Sequence, residues 1–240
     1  MTKKITRGIF ITGTNTGVGK TQVAAGIARN LVSQGVRVGV YKPAASGLVQ
    51  QNGEWVPEDA WQLWQAAGCP QTLDEVCPQA FRTPVAPHLA ARHEGRELDE
   101  ALLRHGLHAW QDYEFVLVEG AGGLLSPLGD RYYCADLARD LNLPLLIVAS
   151  NEIGVINQTL QTLMTARHFG PGLPVAGVVL NQTRPIDSQA DPSLTSNAQE
   201  LQVRCDAPVL ATTQWNNLDS LAQVDWLGLL NTPSTVRSKS

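Results

Sequence analysis

The chain has 240 residues, of which 43% are hydrophobic and 17% charged, and a formal net charge of −4. Residues 1–240 are therefore expected to form one α/β domain with a sizeable core, and the acidic balance excludes the basic stripe of a nucleic-acid binder, which leaves a small molecule as the expected partner. No stretch reaches the ~18 uninterrupted apolar residues of a membrane span, and Lys3, Lys4 and Arg7 run directly into a strand pattern without a leader's apolar region, so a cytoplasmic enzyme is expected.

In chain order, Ile9-Phe10-Ile11 predicts a first strand, and residues 21–33 place Val23, Ile27 and Leu31 on one helical face. Between them lies Gly13-Thr14-Asn15-Thr16-Gly17-Val18-Gly19-Lys20-Thr21. A strand, a glycine turn ending in Gly-Lys-Thr and a helix opening directly afterwards form the context a phosphate-cradling loop requires. The glycines let backbone N–H groups turn inward, and the helix N-terminus favours anions. Lys20 can reach the terminal phosphates and the Thr21 hydroxyl can hold Mg²⁺. The first glycine stands one place before the strict spacing, which falls on Thr14. Gly17, Val18, Gly19, Lys20, Thr21 and Gln22 are the expected nucleotide contacts of this loop.

Residues 36–41 predict the second strand, which delivers Lys42-Pro43-Ala44-Ala45-Ser46-Gly47 at its C-terminal end, where doubly wound sheets bind their ligands. Pro57-Glu58-Asp59 opens a helix through Trp61, Leu63 and Trp64, and 98–110 predicts another, with a Pro-punctuated loop between them. Phe115-Val116-Leu117-Val118-Glu119 predicts a buried strand running into Gly120-Ala121-Gly122-Gly123, and Leu145-Leu146-Ile147-Val148-Ala149 predicts the next. Helices at about 134–141 and 155–168 and a strand over 175–180, ending in Asn181-Gln182, complete the pattern. Beyond Arg184 the Pro/Asp/Ser-rich text gives weak signals, and 233–240 is expected to be a frayed tail. This alternation implies a doubly wound, mainly parallel sheet with helices on both faces.

The unusual polar residues all fall at strand ends: Lys20 and Thr21, Lys42 and Ser46, Glu119, and Asn181. One crevice can collect them. Glu119 ends an apolar run as a magnesium-directed acid would, although an isolated glutamate there could equally face solvent. Asp59 in a first helical turn could serve only the helix dipole, and Lys42 could be an ordinary solvated lysine. The three glycines after Glu119 allow a substrate to lie against bare backbone. The Ser150-Asn151-Glu152-Ile153-Gly154 segment leads into a helix whose unpaired N–H groups could bind a carboxylate. Four scattered cysteines lack metal or redox spacing and are expected reduced and partly buried. The five histidines show no ligand spacing, His88 is expected in a surface loop, and the six tryptophans are expected to pack rather than stack on bases.

Taken together, the phosphate loop, Tyr41-Lys42-Pro43-Ala44-Ala45-Ser46-Gly47, Asp59, Pro84-Val85-Ala86-Pro87-His88 and Val118-Glu119-Gly120-Ala121-Gly122-Gly123 resemble the dethiobiotin synthetase family over roughly residues 8–182. The resemblance implies a phosphate-loop NTPase fold and a reaction that carboxylates 7,8-diaminononanoate with CO₂. ATP would phosphorylate the carbamate, and the second amine would close a ureido ring. It implies Lys20, Lys42, Thr16 and Ser46 as catalytic residues, with Thr21, Asp59 and Glu119 at Mg²⁺. Gly120, Ala121, Gly122, Asn181 and Gln182 would line the nucleotide, with Asn181 at the adenine. Ser46, Gly122 and Gly123 would meet the substrate. A homodimer is implied, the partner's helix start at Gly154, Val155 and Asn157 receiving the substrate carboxylate. Three features depart from the family pattern: Gly17 replaces the glutamate of some members, Thr213-Gln214-Trp215 replaces a Pro-Trp text, and no tyrosine stands near Leu194.

Three rival readings fit less well. A partitioning or assembly ATPase switch usually carries a second loop lysine, where this chain has Asn15. An amidotransferase-type synthetase would need a glutaminase domain for which there is no room. A nucleotide-binding homologue without catalysis is opposed by the intact Lys20, Lys42, Asp59 and Glu119.

Overall fold

A computed structural model of the chain describes residues 7–185 and 192–230. Strand β1 (Gly8–Gly13) passes through the glycine loop into helix α1 (Lys20–Ser33), and β2 (Val38–Tyr41) follows. Short pieces come next: β3 (Ala45–Ser46), β4 (Val49–Gln51), β5 (Glu54–Val56), α2 (Glu58–Ala66), α3 (Leu73–Val76), β6 (Ala80–Phe81), α4 (Pro87–His93) and α5 (Glu100–His105). The remainder alternates regularly as β7 (Phe115–Gly123), α6 (Cys134–Leu141), β8 (Leu145–Ser150), α7 (Val155–His168), β9 (Val175–Asn181), α8 (Asn197–Arg204) and β10 (Val209–Thr213).

Six strands form one sheet in the order β10-β9-β8-β1-β7-β2, and every neighbouring pair is parallel. A parallel sheet buries both faces, which is why β1, β8 and the first part of β7 are continuous apolar runs rather than alternating ones. From β1 the chain steps past β7 to reach β2, then returns and works through β8 and β9 to β10. Right-handed crossovers consequently put α1 on one face and α6, α7 and α8 on the other. The reversal occurs beside β1, and its C-terminal end opens the crevice where such sheets bind ligands.

The main strands and the helices at 134–141 and 155–168 match the expected ones, while four segments differ. The Pro-punctuated loop contains α3, β6 and α4. Pro87 supplies the first residue of α4, a position where its missing N–H costs nothing. His88 therefore stands in a helical turn, half-buried, with Nδ1 3.2 Å from the Pro127 carbonyl, not in an open surface loop. The helix expected over 98–110 is α5 followed by a 3₁₀ turn at Gly106–Trp110. A side chain at Gly106 would collide with the Tyr41 hydroxyl, which donates to the Leu102 and Leu103 carbonyls at 3.1 and 3.0 Å. Neither the β4–β5 hairpin, turned by Asn52 and Gly53 at φ 52° and 87°, nor β10 was foreseen. The tail expected at 233–240 lies outside the described residues.

The cysteines are free, with Cys77 and Cys134 buried, Cys205 intermediate and Cys69 exposed. Among the tryptophans, Trp110 and Trp226 are fully buried, whereas Trp55 and Trp215 are exposed and Arg82 lies 5.1 Å over the Trp55 ring.

Trp110 packs its indole against the bare backbone of Gly39 in β2, where an added Cβ would come within 2.8 Å of the ring. Trp110→Ala empties that site and is expected to cost about 3–5 kcal/mol. Because the indole N–H has no partner, Trp110→Phe should cost clearly less. Urea denaturation of both variants checks the ranking, and equal losses would show that volume is not the determinant.

Candidate active site

The glycine loop leaves β1 with the Thr14 N–H bonded to the Val148 carbonyl of β8 at 3.0 Å, which anchors its first turn. Gly17 and Gly19 then adopt φ of 77° and 82°, conformations open to glycine without strain. Gly19 caps α1, and no side chain bonds to the first N–H groups of that helix. Those groups and the positive end of the helix dipole form an anion cradle. Lys20 arches back over the loop, its ammonium 3.4 Å from the Asn15 carbonyl. Burial lowers Lys20 below the ordinary lysine pKa; Glu119 opposes that shift and Lys42 adds to it.

Glu119 sits on β7, between β1 and β2 in the sheet. In the β1 register it faces Ile11, and in the β2 register Val118 faces Tyr41, so the next residue of each strand brings Lys42 beside Glu119. The two form a buried ion pair, the side chains 4% and 1% exposed. Glu119 Oε1 also accepts from the Thr21 hydroxyl at 2.9 Å. Asp59, from the first turn of α2, approaches Lys42 Nζ at 3.4 Å with its side chain about half exposed. Burial would lower Lys42, but Glu119 and Asp59 outweigh it and hold the ammonium above its usual range. Burial raises Glu119, with Lys42 opposing. For Asp59, partial burial is outweighed chiefly by the Lys42 ammonium, which holds its carboxyl below the ordinary value. Of the alternatives open in the sequence, Lys42 is not a solvated lysine and Glu119 does not face solvent.

The same structure tests the suitability of this cluster for a divalent cation. Glu119 Oε2 is buried without a hydrogen-bond partner, and Thr21 and Asp59 add oxygen donors beside it. Two carboxylates and a hydroxyl suit a hard cation that keeps waters and takes phosphate oxygens. Among the described residues no group of three or more His, Cys, Asp or Glu forms a self-sufficient metal cage.

The glycines ending β7 lie against the loop. A Cβ at Gly123 would be 3.3 Å from the Gly13 carbonyl, and one at Gly122 3.4 Å from Thr16 Oγ1. Ser126 was not foreseen; its hydroxyl accepts from the Gly123 N–H at 2.8 Å and pins this turn. The Cys134 thiol donates to the Ala121 carbonyl at 3.1 Å, and burial pushes its pKa up to about 11, which leaves it an unreactive packing group. Ser46 lies on β3, paired with Phe81 of β6, and Gly47 turns against Pro84, where a Cβ would be 3.2 Å from the proline.

Helix α7 opens at Gly154, with φ 94° and no side-chain cap. A cavity of about 350 Å³ lies between the phosphate loop and this end of the sheet, bordered by Thr16, Gly17, Ser150, Glu152, Gln158 and Arg184. Glu152 and Arg184 form an ion pair across it. Asn181 and Gln182 are buried at the end of β9, with Asn181 bonded to the loop at the Val18 carbonyl and to Gln22.

A family model described as an AAA domain matches residues 7–231. The ATP-dependent dethiobiotin synthetase of Anaeromyxobacter dehalogenans (strain 2CP-C) is 44% identical over 210 residues, covering 87% of this chain and 90% of that protein. The enzyme of the same name from Rhodopirellula baltica is 40% identical over 217 residues, covering 85% and 83%. That of Bacillus subtilis (strain 168) is 35% identical over 208 residues, covering 86% and 87%. A solved ParA-family ATPase from Chlorobium tepidum superposes with a TM-score of 0.52 at 15% identity, over 96% of this chain and 94% of its own. The signal recognition particle receptor FtsY of Elizabethkingia anophelis gives 0.55 at 15% identity, over 96% and 65%. These two likenesses are of fold alone.

Removing one member of a buried ion pair leaves the other unpaired, and Lys42→Ala is expected to destabilise the chain by about 3–5 kcal/mol. The double variant Lys42→Met with Glu119→Leu should recover most of that loss. Denaturant titration of the three proteins reads this directly, and a Lys42→Ala loss under ~1 kcal/mol would mean that water reaches Glu119.

Proposed function

This chain belongs to the ATP-dependent dethiobiotin synthetases, and we propose that it carries out their reaction by charge neutralisation around the Lys42–Glu119 pair. An amine of 7,8-diaminononanoate adds to CO₂, forming an N–C bond and losing a proton to give a carbamate. A carbamate oxygen attacks the γ-phosphorus of ATP and expels ADP. The second amine then attacks the carbonyl carbon of the resulting carbamic-phosphoric anhydride, losing a proton and expelling phosphate, which closes the ureido ring of dethiobiotin.

Carbamate and triphosphate are both anions, so their approach requires positive charge on both sides of the transferring group. The supporting observation is that two buried ammonium groups, Lys20 after β1 and Lys42 after β2, flank the same carboxylate beside the anion cradle. Held above its usual range by its acidic neighbours, Lys42 stays charged and donates to anionic oxygens throughout. The loop N–H groups and Lys20 hold the triphosphate. Thr16, next to Gly122, and Ser46, on the strand leaving Lys42, are suited to orient the amine and carbamate by hydrogen bonds. Gly123 offers backbone where a side chain would block the substrate.

Thr21, Asp59 and Glu119 are the residues that would hold Mg²⁺, which supplies further positive charge at the phosphate oxygens when bound. The N-terminus of α7 at Gly154, Val155 and Asn157 lacks a side-chain cap, although the Val155 N–H bonds the Glu152 carbonyl at 3.1 Å; its dipole is suited to a carboxylate, and we assign it to the substrate tail of a partner subunit in a homodimer. No helix among the described residues is long and apolar enough to cross a membrane, and the free cysteines accord with a reaction in the cytoplasm.

The test incubates the full chain with ATP, Mg²⁺, bicarbonate and 7,8-diaminononanoate and follows dethiobiotin by mass. Diamine-dependent phosphate release with formation of the ureido product is expected. Phosphate release indifferent to the diamine, with no such product, would instead favour a nucleotide switch. Lys20→Ala, with its fold verified by circular dichroism, should lower turnover ~10²-fold or more, the usual loss for one preorganised charge donor.

A further inference from the structure

Gln79 stands between α3 and β6 and is 4% exposed. Its carboxamide closes a ring with the backbone of a single residue: Oε1 accepts from the Asp99 N–H at 2.7 Å, and Nε2 donates to the Asp99 carbonyl at 3.0 Å. A backbone N–H only donates and a carbonyl only accepts, so this amide has one orientation. The main chain around Gln79 in turn carries the segment that leaves β2. The Val76 carbonyl accepts from the Lys42 N–H at 2.8 Å, and the Gln79 carbonyl accepts from the Ala45 N–H at 2.9 Å. Ser46 then pairs with Phe81. Asp99 caps α5 by accepting from the Leu102 N–H at 2.9 Å, and two carbonyls of that helix take the Tyr41 hydroxyl. Helix α5 therefore brackets the Lys42–Ser46 segment from both ends, through Tyr41 immediately before Lys42 and through Gln79 bonded to Ala45.

We propose that Gln79 is a positioning residue for the carbamate end of the reaction: its amide, clamped on the Asp99 backbone, fixes the 76–81 segment against which Lys42-Pro43-Ala44-Ala45-Ser46 is laid. The Lys42 ammonium is held independently by Glu119 and Asp59. The backbone at Ala45 and Ser46 is instead fixed by its ladder with the 76–81 segment. Loss of the clamp is therefore felt at Ser46 before Lys42, and by the carbamate before ATP, whose phosphates rest on the glycine loop. This inference rests on the reaction assigned above and adds to it a residue outside the groups that meet the reactants.

Gln79→Met keeps the length of the side chain and removes both bonds to Asp99. At saturating ATP and diamine its turnover should fall about tenfold, the scale of a small misplacement of a reacting group, while its calorimetric affinity for ATP stays within about twofold of wild type. Asp99→Ala removes the cap of α5 but keeps the backbone groups that Gln79 holds, so it should lose stability and keep turnover within about twofold. Tyr41→Phe releases the other end of the bracket with little change of volume. It should show the same split at about threefold, and it decides the question if Gln79→Met does not fold. Unchanged turnover in a folded Gln79→Met protein overturns the proposal. So does an equal loss in Asp99→Ala, or a parallel loss of ATP affinity, either of which marks a general loosening of the chain. Amide hydrogen exchange without ligands gives a readout free of the reaction: at Ala45 it should be about tenfold or more faster in Gln79→Met, with Val116 of β7 unchanged. Unchanged protection at Ala45 overturns the clamp. Dethiobiotin formation by the wild type is measured alongside: absence of product counts against the reaction assigned above, whereas the exchange at Ala45 counts for or against this inference alone.

Discussion

A carboxylate buried on an interior strand constrains everything around the phosphate loop. Glu119 is 1% exposed, and a charge taken so far out of water is tolerated only when neighbours compensate it. The sheet order supplies those neighbours. Because β7 lies between β1 and β2, one flank brings the loop with Thr21 and the other brings Lys42. The ion pair is thus a consequence of strand order, and the strand order is held by the apolar runs that cover both faces of the sheet. Low local dielectric strengthens each of these attractions, so the charges remain placed when an anionic ligand arrives.

The parts of this arrangement set by local chemistry were legible in the sequence. Strand, glycine turn and helix around residue 13 follow from period and turn chemistry alone, and the positions of Lys42 and Glu119 at strand ends point toward one crevice. Whether Lys42 was solvated or buried was not legible, because that depends on which strands are neighbours, and neighbours in a parallel sheet are far apart in sequence. The helix opened by Pro87 was hidden among prolines that suggested a loop. The break at Gly106 comes from the Tyr41 hydroxyl, a contact between residues separated by the whole irregular segment. Strand β10 has an apolar start, Val209-Leu210-Ala211, but it is short and set in the polar text beyond Arg184, so it was not singled out, although Ala211 and Thr213 are buried.

Two sides of the sheet serve the loop differently. The β7–β2 side contributes charge, through Lys42, Asp59 and Glu119. The β9 side contributes shape, through neutral hydrogen bonds from the buried Asn181 amide to the Val18 carbonyl and to Gln22. Such bonds favour a single geometry because a rearrangement leaves a buried donor unpaired. The division explains how one flexible, glycine-rich segment can be both precisely held and surrounded by strong fields.

The bonds that define the site also span long stretches of chain: Thr21 to Glu119 covers 98 residues, Lys42 to Glu119 covers 77, and Asn181 to Val18 covers 163. Pairings of this range form slowly, because chain entropy must be surrendered before any contact rewards it. During synthesis the glycine loop leaves the ribosome early, but its acidic floor arrives about halfway through the chain and the Asn181 amide that bonds it only about three-quarters of the way along. A nascent polypeptide therefore carries the recognisable motif well before the side chains that hold it are available, and the complete arrangement needs strands from both halves of the chain to have docked.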